Sequence, residues 1–542
     1  MEEYIVVVKA GEDLTTLDSE LAASSGDGAI PTRAVECCDT CPHDSRMTHW
    51  MLTAEEAQTL KDDPRILDVE KPLKNRTDEI VVESVARQPE TFTKTATSVG
   101  GCNWGLSRSS NIVDNFDGNT SIFGNYKYVM TGDGVDVVIM DSGIELDHPE
   151  FKDATGAGRI QAIDWFANHS GVANPHAGSG PMGPEWYQDT DGHGTFCASI
   201  SCGKKYGWAK NAHIYSIPIY DNPSAVSTEL AMDLVRQWHN NKGNNRPTIV
   251  NMSFGFFYSF DEPIAPQAGD SGQVWDTFTG QMDVWNFGDA GYANTTEIED
   301  NTDLNGFTKP AFRSAVVDAK IDQMIADGIH VSIAANNNYE VQYEYSDDVN
   351  DNYSDFMVRP SFAGGAQVFY HRGSSPRGTQ IGGAEMVVGN IGVDYTNNKE
   401  RLNPSSANGE ALDIFAPGTN IVAGASNINS GNYADSPHPE DGAFKIGVSS
   451  GTSFSCPQVV GVGALYLQNE PNITPAQLKA KMLHDAKTGL LYDDLNWDQK
   501  DLGKYADHVT NNKGLMGGPN KVLYNRFVGD VFVRYVAAGG GD

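Results

Sequence analysis

Short apolar runs alternate with amphipathic stretches along most of the chain, and this alternation predicts strands and helices in turn. Five runs are almost wholly apolar, as strands buried on both faces are: VDVVIMD (135–141), IYSIPIY (214–220), PTIVNMSF (247–254), IHVSIAA (329–335) and EMVVGNIG (385–392). Helical patterns lie between several of them, for example STELAMDLVRQWHNN (227–241) and RSAVVDAKIDQMIADG (313–328). The pattern predicts an α/β fold with a doubly wound, mainly parallel sheet and helices on both faces.

The first 74 residues have a different pattern, which predicts a small α+β domain. EYIVVVKA (3–10) and RILDVEKP (65–72) are typical of strands. TAEEAQTLKDDP (53–64) begins with a threonine cap, continues with two glutamates and ends at a proline, so it is predicted to be a helix. Residues 75–100 are polar and have no clear period, which is typical of a linker.

Two stretches, at about 256–308 and 339–380, interrupt the alternation and are predicted to be long surface insertions. The first contains ten Asp and Glu residues and no Lys, Arg or His. Insertions of this length usually serve a function. The whole chain of 542 residues has 38 Lys and Arg against 72 Asp and Glu, a net charge of −34. This charge would repel phosphate, so nucleic acid is excluded as a partner. The acidity of the insertions is expected to speed the capture of basic peptides at low salt.

The seven cysteines do not predict a disulfide framework in a chain of this length. Three of them, in CCDTC (37–41), raise the alternative of a zinc site. No second Cys/His pair follows at a suitable spacing, so free thiols or a local disulfide are favoured. The start MEEYIVVVKA contains no apolar segment of signal-peptide length, and no run of about 18 apolar residues occurs. We therefore expect no signal peptide, no membrane span and a cytoplasmic location at synthesis.

Three residues, Asp141, His193 and Ser453, stand where catalytic chemistry would need them. Asp141 ends a buried strand, His193 lies between glycines at the start of a helical pattern, and Ser453 precedes a long apolar helix. Taken singly, the first two are more often a turn cap and a structural histidine. Together they supply a nucleophile, a base that activates it and a carboxylate that orients the base. Ser455 and Cys456, close to Ser453, are competing nucleophiles that fall inside the predicted helix.

The segments around these residues resemble the signature segments of the subtilases, the subtilisin-like serine proteases. They are DSGIELDHPEF, DGHGTFCAS and GTSFSCPQVVGVGAL, and their order Asp, His, Ser is that of subtilisin. NWGLSRSS (103–110), HGTFCASISCGKKYGWAKNAHIYSIPIYD and GPNKVLYNR are most similar to the proteinase K-like group. The resemblance implies a catalytic domain over residues 101–526, followed by a tail at 527–542. A lipase-type hydrolase would need Gly-x-Ser-x-Gly and another residue order.

The resemblance also implies roles for individual residues of a serine endopeptidase. Ser453 would attack the peptide carbonyl, His193 would transfer its proton, and Asp141 would orient His193. VNMSFG resembles the strand that binds an extended substrate, here Ser253, Phe254 and Gly255. In IAANNNYE the family has Ala-Ala-Gly-Asn, which implies that Ala334, Ala335 and Asn336 border the substrate and that Asn337 donates to the oxyanion. Asn336 remains the alternative donor. The backbone N–H of Ser453 would be the second donor.

The N-terminal unit resembles the propeptide of many subtilases, which implies a zymogen whose own propeptide inhibits it by occupying the cleft. No cofactor is implied; calcium is a candidate structural ion, with Asp394 as the candidate ligand of a weak site. Cys197 matches a free cysteine beneath the histidine in proteinase K-like enzymes. The chain is also faintly similar to subtilases of tailed phages. This similarity gives the alternative of a virion-associated structural component, with protein partners in a particle and latent or no protease activity.

Overall fold

The computed structural model describes the chain in separate stretches. They are residues 1–23, 30, 33–39, 46–72, 79–81, 103–110, 128, 130–169, 180–257, 314–337, 356–359, 368–371, 383–396, 399–403, 405–409, 411–427, 433, 436–493, 515 and 517–527.

The strands occur in two groups along the chain. In the first 81 residues they are β1 (Glu2–Val8), β2 (Cys37–Asp39), β3 (Met47–Leu52), β4 (Ile66–Glu70) and β5 (Glu79–Val81). The remaining strands are β6 (Asp136–Asp141), β7 (His213–Pro218), β8 (Thr248–Met252), β9 (Gly255–Phe257), β10 (His330–Ala334), β11 (Phe356–Arg359), β12 (Val368–His371), β13 (Met386–Thr396), β14 (Lys399–Leu402), β15 (Ile414–Pro417), β16 (Ile421–Ala425), β17 (Ser436–Pro437), β18 (Lys445–Ser449), β19 (Lys487–Thr488) and β20 (Lys521–Val522).

The α-helices are α1 (Leu14–Leu21), α2 (Ala54–Lys61), α3 (Trp104–Ser109), α4 (His193–Cys202), α5 (Thr228–Asn241), α6 (Ala315–Ala326), α7 (Thr452–Asn469) and α8 (Pro475–Asp485). Two 3-10 turns, Pro149–Phe151 and Pro184–Tyr187, lie in the loops. None of the helices in the described stretches is long and apolar enough to cross a membrane.

The N-terminal strands form a small antiparallel sheet in the order β2-β3-β1-β4. Strand β1 lies inside this sheet, and Tyr4–Val8 are all buried. Helix α2 carries the predicted cap, because the Thr53 side chain accepts from the Glu56 amide while the Glu56 carboxylate accepts from the Thr53 amide. The two helices α1 and α2 supply apolar side chains to a core shared with the sheet.

The central sheet has the strand order β19-β20-β15-β13-β10-β8-β6-β7, with β14 attached to β13. The pairs from β7 across to β15 are all parallel, and β14 and β19 are antiparallel additions. The five predicted strands correspond to β6, β7, β8, β10 and β13, so the predicted α/β fold is confirmed. The strand ends differ from the predicted runs by a few residues: β7 ends at Pro218, so Tyr220 lies beyond the strand, and β13 continues to Thr396.

Helix α7 runs through the core beside the sheet, and every residue from Thr452 to Leu467 is buried. Gly461 permits this depth, since a Cβ there would lie 2.7 Å from Cβ of Trp208. The helix also contacts α4 closely. Two of the three elements that carry candidate catalytic residues are therefore packed on each other within one core.

Several predicted regions lie largely outside the described residues. Of the linker 75–100, only β5 is described. Of the insertions, only the end of β9 and the backbones of β11 and β12 are described, and the tail is described only at residue 527.

Candidate active site

Asp141 is the last residue of β6, at the point where the buried strand turns out of the sheet. All six residues of β6 are buried, and the Ser142 amide donates to Asp141 Oδ1 at 2.8 Å. The turn continues through Gly143, whose φ is +129°, and a Cβ at this position would lie 2.5 Å from the Gln188 carbonyl oxygen. Glycine at 143 thus lets the loop that precedes His193 pass directly over the carboxylate.

His193 is the first residue of α4 and is completely buried against Asp141. Its Nδ1 atom lies 2.9 Å from Oδ1 and 3.0 Å from Oδ2 of Asp141. Gly192 has a φ of +98°, and a Cβ on Gly194 would lie 2.1 Å from the Gly143 carbonyl oxygen. The flanking glycines therefore allow the turn into the helix and the close approach of the two loops.

A second buried carboxylate, that of Asp189, joins the loops that carry the pair. It accepts from the amides of Thr195 and Gly192 at 2.7 and 2.8 Å, and from the Ser142 hydroxyl at 2.7 Å. Burial raises the pKa of Asp189 to about 6, against the lowering effect of these hydrogen bonds. Asp189 thus accepts from two amides at the start of α4 and fixes Ser142, the neighbour of Asp141.

The electrostatic surroundings of His193 favour a proton on the imidazole. Burial acts to lower the pKa of His193, but the charge and hydrogen bond of Asp141, with contributions from Asp191 and Asp189, outweigh it, and the pKa is raised above 6.5. With Nδ1–H donating to Asp141, the Nε2 atom has the lone pair that accepts a proton. This arrangement is that of a general base held in one tautomer.

Ser453 is the second residue of α7, where the helix N-terminus favours negative charge. Its Oγ donates to the Ser253 carbonyl oxygen at 3.1 Å, and the Ser253 hydroxyl donates to the Ser453 carbonyl oxygen at 2.9 Å. The ring of Phe454, the next residue, lies 5.4 Å from the His193 ring between centroids. The Ser453 hydroxyl therefore contacts the predicted substrate strand, and the next residue of the helix packs against the imidazole.

The neighbouring candidates for the nucleophile, Ser455 and Cys456, are buried in the core and bound to other groups. The Ser455 hydroxyl donates to the Ala416 carbonyl oxygen at 2.9 Å. The Cys456 thiol donates to the Ser332 hydroxyl at 3.4 Å, and burial raises the pKa of Cys456 to about 12. A thiol with this pKa supplies almost no thiolate at neutral pH.

Cys197 lies one turn beyond His193 on α4, as the sequence implied. Its Sγ is 3.7 Å from Nδ1 of His193 and donates to the Ser453 carbonyl oxygen at 3.4 Å. Burial raises the pKa of Cys197 well above 9, so this thiol packs beneath the ring and is no nucleophile.

Asn336 and Asn337 have different surroundings. Asn336 has a φ of +102°, a backbone conformation that favours the glycine found there in the family. The Asn337 side-chain oxygen accepts from the Thr452 amide at 2.7 Å and from the Thr452 hydroxyl at 3.1 Å. These contacts fix the Asn337 carboxamide beside the start of α7, with its NH₂ group on the opposite side from Thr452.

The predicted substrate residues lie at the carboxyl ends of two neighbouring strands. Ser253 and Phe254 follow β8 and are buried, and Gly255 begins β9. Ala334 ends β10, and the Ala335 amide continues the ladder to the Val388 carbonyl oxygen at 3.0 Å. Strand β5 pairs with β9 in antiparallel orientation, with Val81 opposite Gly255. The edge at Gly255 thus binds an extended strand from the N-terminal part of this same chain.

Metal binding has limited support in the described stretches. The cluster of potential metal ligands found there consists of Asp141, His193 and Cys197, whose ligand atoms lie within 4.8 Å of one another. These residues are the acid–base pair and the thiol beneath it. Asp394 lies in β13, but its side chain is outside the described part of the chain. Cys37 lies in β2, whereas the side chains of Cys38 and Cys41 are not described.

Two residues of the site were missed by the sequence reasoning. Asp189 lies three residues before the N-cap residue Gly192, and no pattern in the sequence marked it as a partner of the helix start. The other is Tyr220, whose hydroxyl donates to Asp141 Oδ1 at 2.5 Å. No pattern pointed to it, because a tyrosine at the end of an apolar run predicts packing.

Comparisons with known proteins agree with the fold and identify the family of the chain. The family model described as the subtilase family, Peptidase_S8, matches residues 132–514, which is more than half of the chain. The chain belongs to the subtilase family.

Relatives and solved structures are similar at low identity. "Subtilisin-like protease 8" of Trichophyton verrucosum is 24% identical over 437 residues, which cover 77% of this chain and 65% of the relative. "Extracellular serine proteinase" of a Thermus species is 24% identical over 476 residues, covering 87% of this chain and 74% of the relative. Fervidolysin from Fervidobacterium pennivorans, a keratinolytic enzyme related to subtilisin, has a similar fold, with a TM-score of 0.51, 14% identity and coverage of 96% of this chain and 60% of fervidolysin. The chain spans 65% of the length of the first curated relatives.

Proposed function

We propose that the chain is a serine endopeptidase that uses Asp141, His193 and Ser453 as its catalytic triad. The observation that carries the proposal is the buried Asp141–His193 pair, with Nδ1 2.9 Å from Oδ1. This pair stands beside a serine at the N-terminus of α7. Such a pair raises the basicity of Nε2, so the imidazole takes the proton of Ser453 during attack and returns it to the leaving amine.

The tetrahedral intermediate needs donors for its oxyanion, and the start of α7 supplies them. Because Thr452 holds the Asn337 oxygen, the Asn337 NH₂ group is the side-chain donor, and the Ser453 backbone N–H is the second. On substrate binding, the Ser453 hydroxyl would leave the Ser253 carbonyl for His193 Nε2. No cofactor takes part in these steps, and calcium remains a proposed structural ion.

We further propose that residues 1–74 are an inhibitory propeptide for the catalytic domain at 101–526. The support comes first from β5, which follows this unit and pairs with β9 over Glu79–Val81. Antiparallel addition of a strand to this edge is how an extended peptide substrate would bind. A segment of the chain's own N-terminal part therefore competes with substrate for the same edge.

A second support is the contact between the N-terminal sheet and α6. Ile5 and Val7 of β1 share a buried apolar cluster with Val316 and Ala319 of α6. At the start of α6, the buried Glu70 carboxylate accepts from the Ser314 hydroxyl and from the Val316 amide, both at 3.0 Å. The unit thus docks through an apolar face together with a carboxylate at a helix N-terminus.

The β5–β9 register predicts where the chain is cut. Val81 pairs with Gly255, and Ser253, which contacts the Ser453 hydroxyl, lies two residues nearer the nucleophile. In this antiparallel register, an extended substrate that binds the same edge has its second residue beyond the one paired with Gly255 opposite Ser253. We therefore expect cleavage after Glu83, with a mature N-terminus at Ser84.

The test of the proposed function compares variants of two serines that are separated by one residue in α7. Ser453→Ala is expected to abolish self-cleavage and to lower kcat on a peptide substrate by about 10⁶-fold, because the nucleophile is lost. Ser455→Ala is the matched control, and it should keep the activity because its hydroxyl only bonds the Ala416 carbonyl.

Equal activity of the Ser453→Ala variant and the unmodified chain would refute the proposal. An unmodified chain that shows no hydrolysis, even after removal of residues 1–83, would also refute it. That second result would favour the alternative of a subtilase-fold structural component.

A further inference from the structure

Tyr220 is a buried tyrosine that takes no part in the steps proposed above, although its hydroxyl contacts both members of the acid–base pair. The hydroxyl donates to Asp141 Oδ1 at 2.5 Å, and its oxygen is 3.2 Å from His193 Nδ1. The side chain is only 9% exposed and belongs to an apolar cluster on one face of the central sheet. A hydrogen-bond donor at this place affects how strongly the Asp141 carboxylate stabilises the protonated imidazole during catalysis.

We propose that Tyr220 is a positioning residue that orients Asp141 and limits its basicity, and so sets the pH at which His193 becomes a base. The proposal rests on the proteolytic function proposed above. It adds a fourth side chain to the three that carry out the reaction.

The hydrogen bonds on Asp141 show what Tyr220 does. Oδ1 accepts from the Ser142 amide at 2.8 Å and from the Tyr220 hydroxyl. His193 Nδ1 lies almost equally close to both carboxylate oxygens, at 2.9 Å from Oδ1 and 3.0 Å from Oδ2. The Tyr220 hydroxyl and the imidazole therefore bind the same carboxylate. Tyr220 thereby restrains rotation of the carboxylate and stabilises its negative charge, which weakens its hold on the imidazole proton.

The loop that carries Tyr220 is fastened to both loops of the pair. The Asn222 carboxamide donates to the carbonyl oxygens of Ser142, Trp186 and Gln188. The Ile219 amide donates to the Asp141 carbonyl oxygen at 2.8 Å. The hydroxyl is therefore held in place by the backbone around it as well as by its partner.

Tyr220 also keeps the proton that it donates. Burial, and then the charge of Asp141, raise the pKa of Tyr220 well above 10. The phenol is thus protonated wherever His193 is neutral enough to act as a base.

The experiment is the pH dependence of kcat/KM for Tyr220→Phe, which removes only the hydroxyl. Without this donor, Asp141 becomes more basic and holds the His193 proton more strongly, so activity is lost at a higher pH as the solution is acidified. We expect the acid limb to move up by about one pH unit and kcat/KM at neutral pH to fall about tenfold.

Tyr187→Phe is the matched control. Tyr187 is buried in the same apolar cluster, and its hydroxyl lies 3.4 Å from the Gln161 carbonyl oxygen. Loss of that hydroxyl should leave the acid limb unchanged. The other titratable groups that face the imidazole are the same in both variants: Asp141, Asp189, Asp191, Cys197 and Tyr433.

A second measurement separates this proposal from the proposed function. In a Ser453→Ala background, the His193 ring is titrated by NMR with and without Tyr220→Phe, which needs no hydrolysis. An upward shift of the His193 pKa on loss of the hydroxyl supports the role of Tyr220, whether or not the chain proves to be a protease. An unchanged or lower pKa, or an acid limb in Tyr220→Phe that coincides with that of Tyr187→Phe, would overturn it.

Discussion

At the residue scale, the site shows how neighbours decide between chemically identical side chains. Asn336 and Asn337 are adjacent asparagines, but only Asn336 has a positive φ, and only Asn337 has its side-chain oxygen fixed by Thr452. Asn tolerates positive φ better than most residues, which explains how it replaces the family's glycine. The sequence left the two as alternatives, and the contacts favour Asn337 as the oxyanion donor.

This assignment predicts different effects for two substitutions. Asn337→Ala should lower kcat by about 10²–10³, with little change in KM, because an oxyanion donor acts mainly in the transition state. Asn336→Gly should cost less than about tenfold, because glycine adopts the positive φ freely. Steady-state kinetics on one peptide substrate measure both. A larger kcat loss for Asn336→Gly than for Asn337→Ala would reverse the assignment.

At the element scale, the parallel strands bring the candidate residues to one edge of the sheet. Asp141 ends β6, Ser253 follows β8, and Ala334 ends β10, so the carboxyl ends of neighbouring strands meet at the site. These strands could be predicted because buried parallel strands are continuous apolar runs. The β5–β9 pair could not, because a three-residue strand has no period and its partner is distant in sequence.

The docking of the N-terminal sheet on α6 gives a prediction at the same scale. Glu70→Gln keeps the shape but removes the charge at the start of α6, and it should weaken docking by about 1–2 kcal/mol. The measurement is the time for which the N-terminal unit still inhibits the catalytic domain after the chain is cut. This time should be roughly 5–30-fold shorter for Glu70→Gln than for the unmodified chain. Glu55→Gln is the control, because this exposed residue lies in the same unit on α2. Equal release from both variants would contradict a role for Glu70.

At the scale of the whole molecule, the alternating pattern predicted the fold class, and three short motifs predicted the site. Asp141 and His193 could be paired in advance because their roles in the triad require contact. The contact between Tyr220 and Asp141 could not be predicted, because it depends on how the loop after β7 folds back over β6. The acidic insertions, which the sequence made prominent, lie almost wholly outside the described residues, so their role in capturing basic peptides stays a prediction.

The most direct test follows one sample of the full chain over time by mass spectrometry, with a serine-directed fluorophosphonate present. We predict no adduct on the intact chain, the appearance of Ser84 as the new N-terminus, and then a single adduct on Ser453. An adduct on Ser453 at full rate in the uncut chain would contradict inhibition by the N-terminal unit. A fully cut chain that never forms the adduct on Ser453 would contradict the catalytic triad itself.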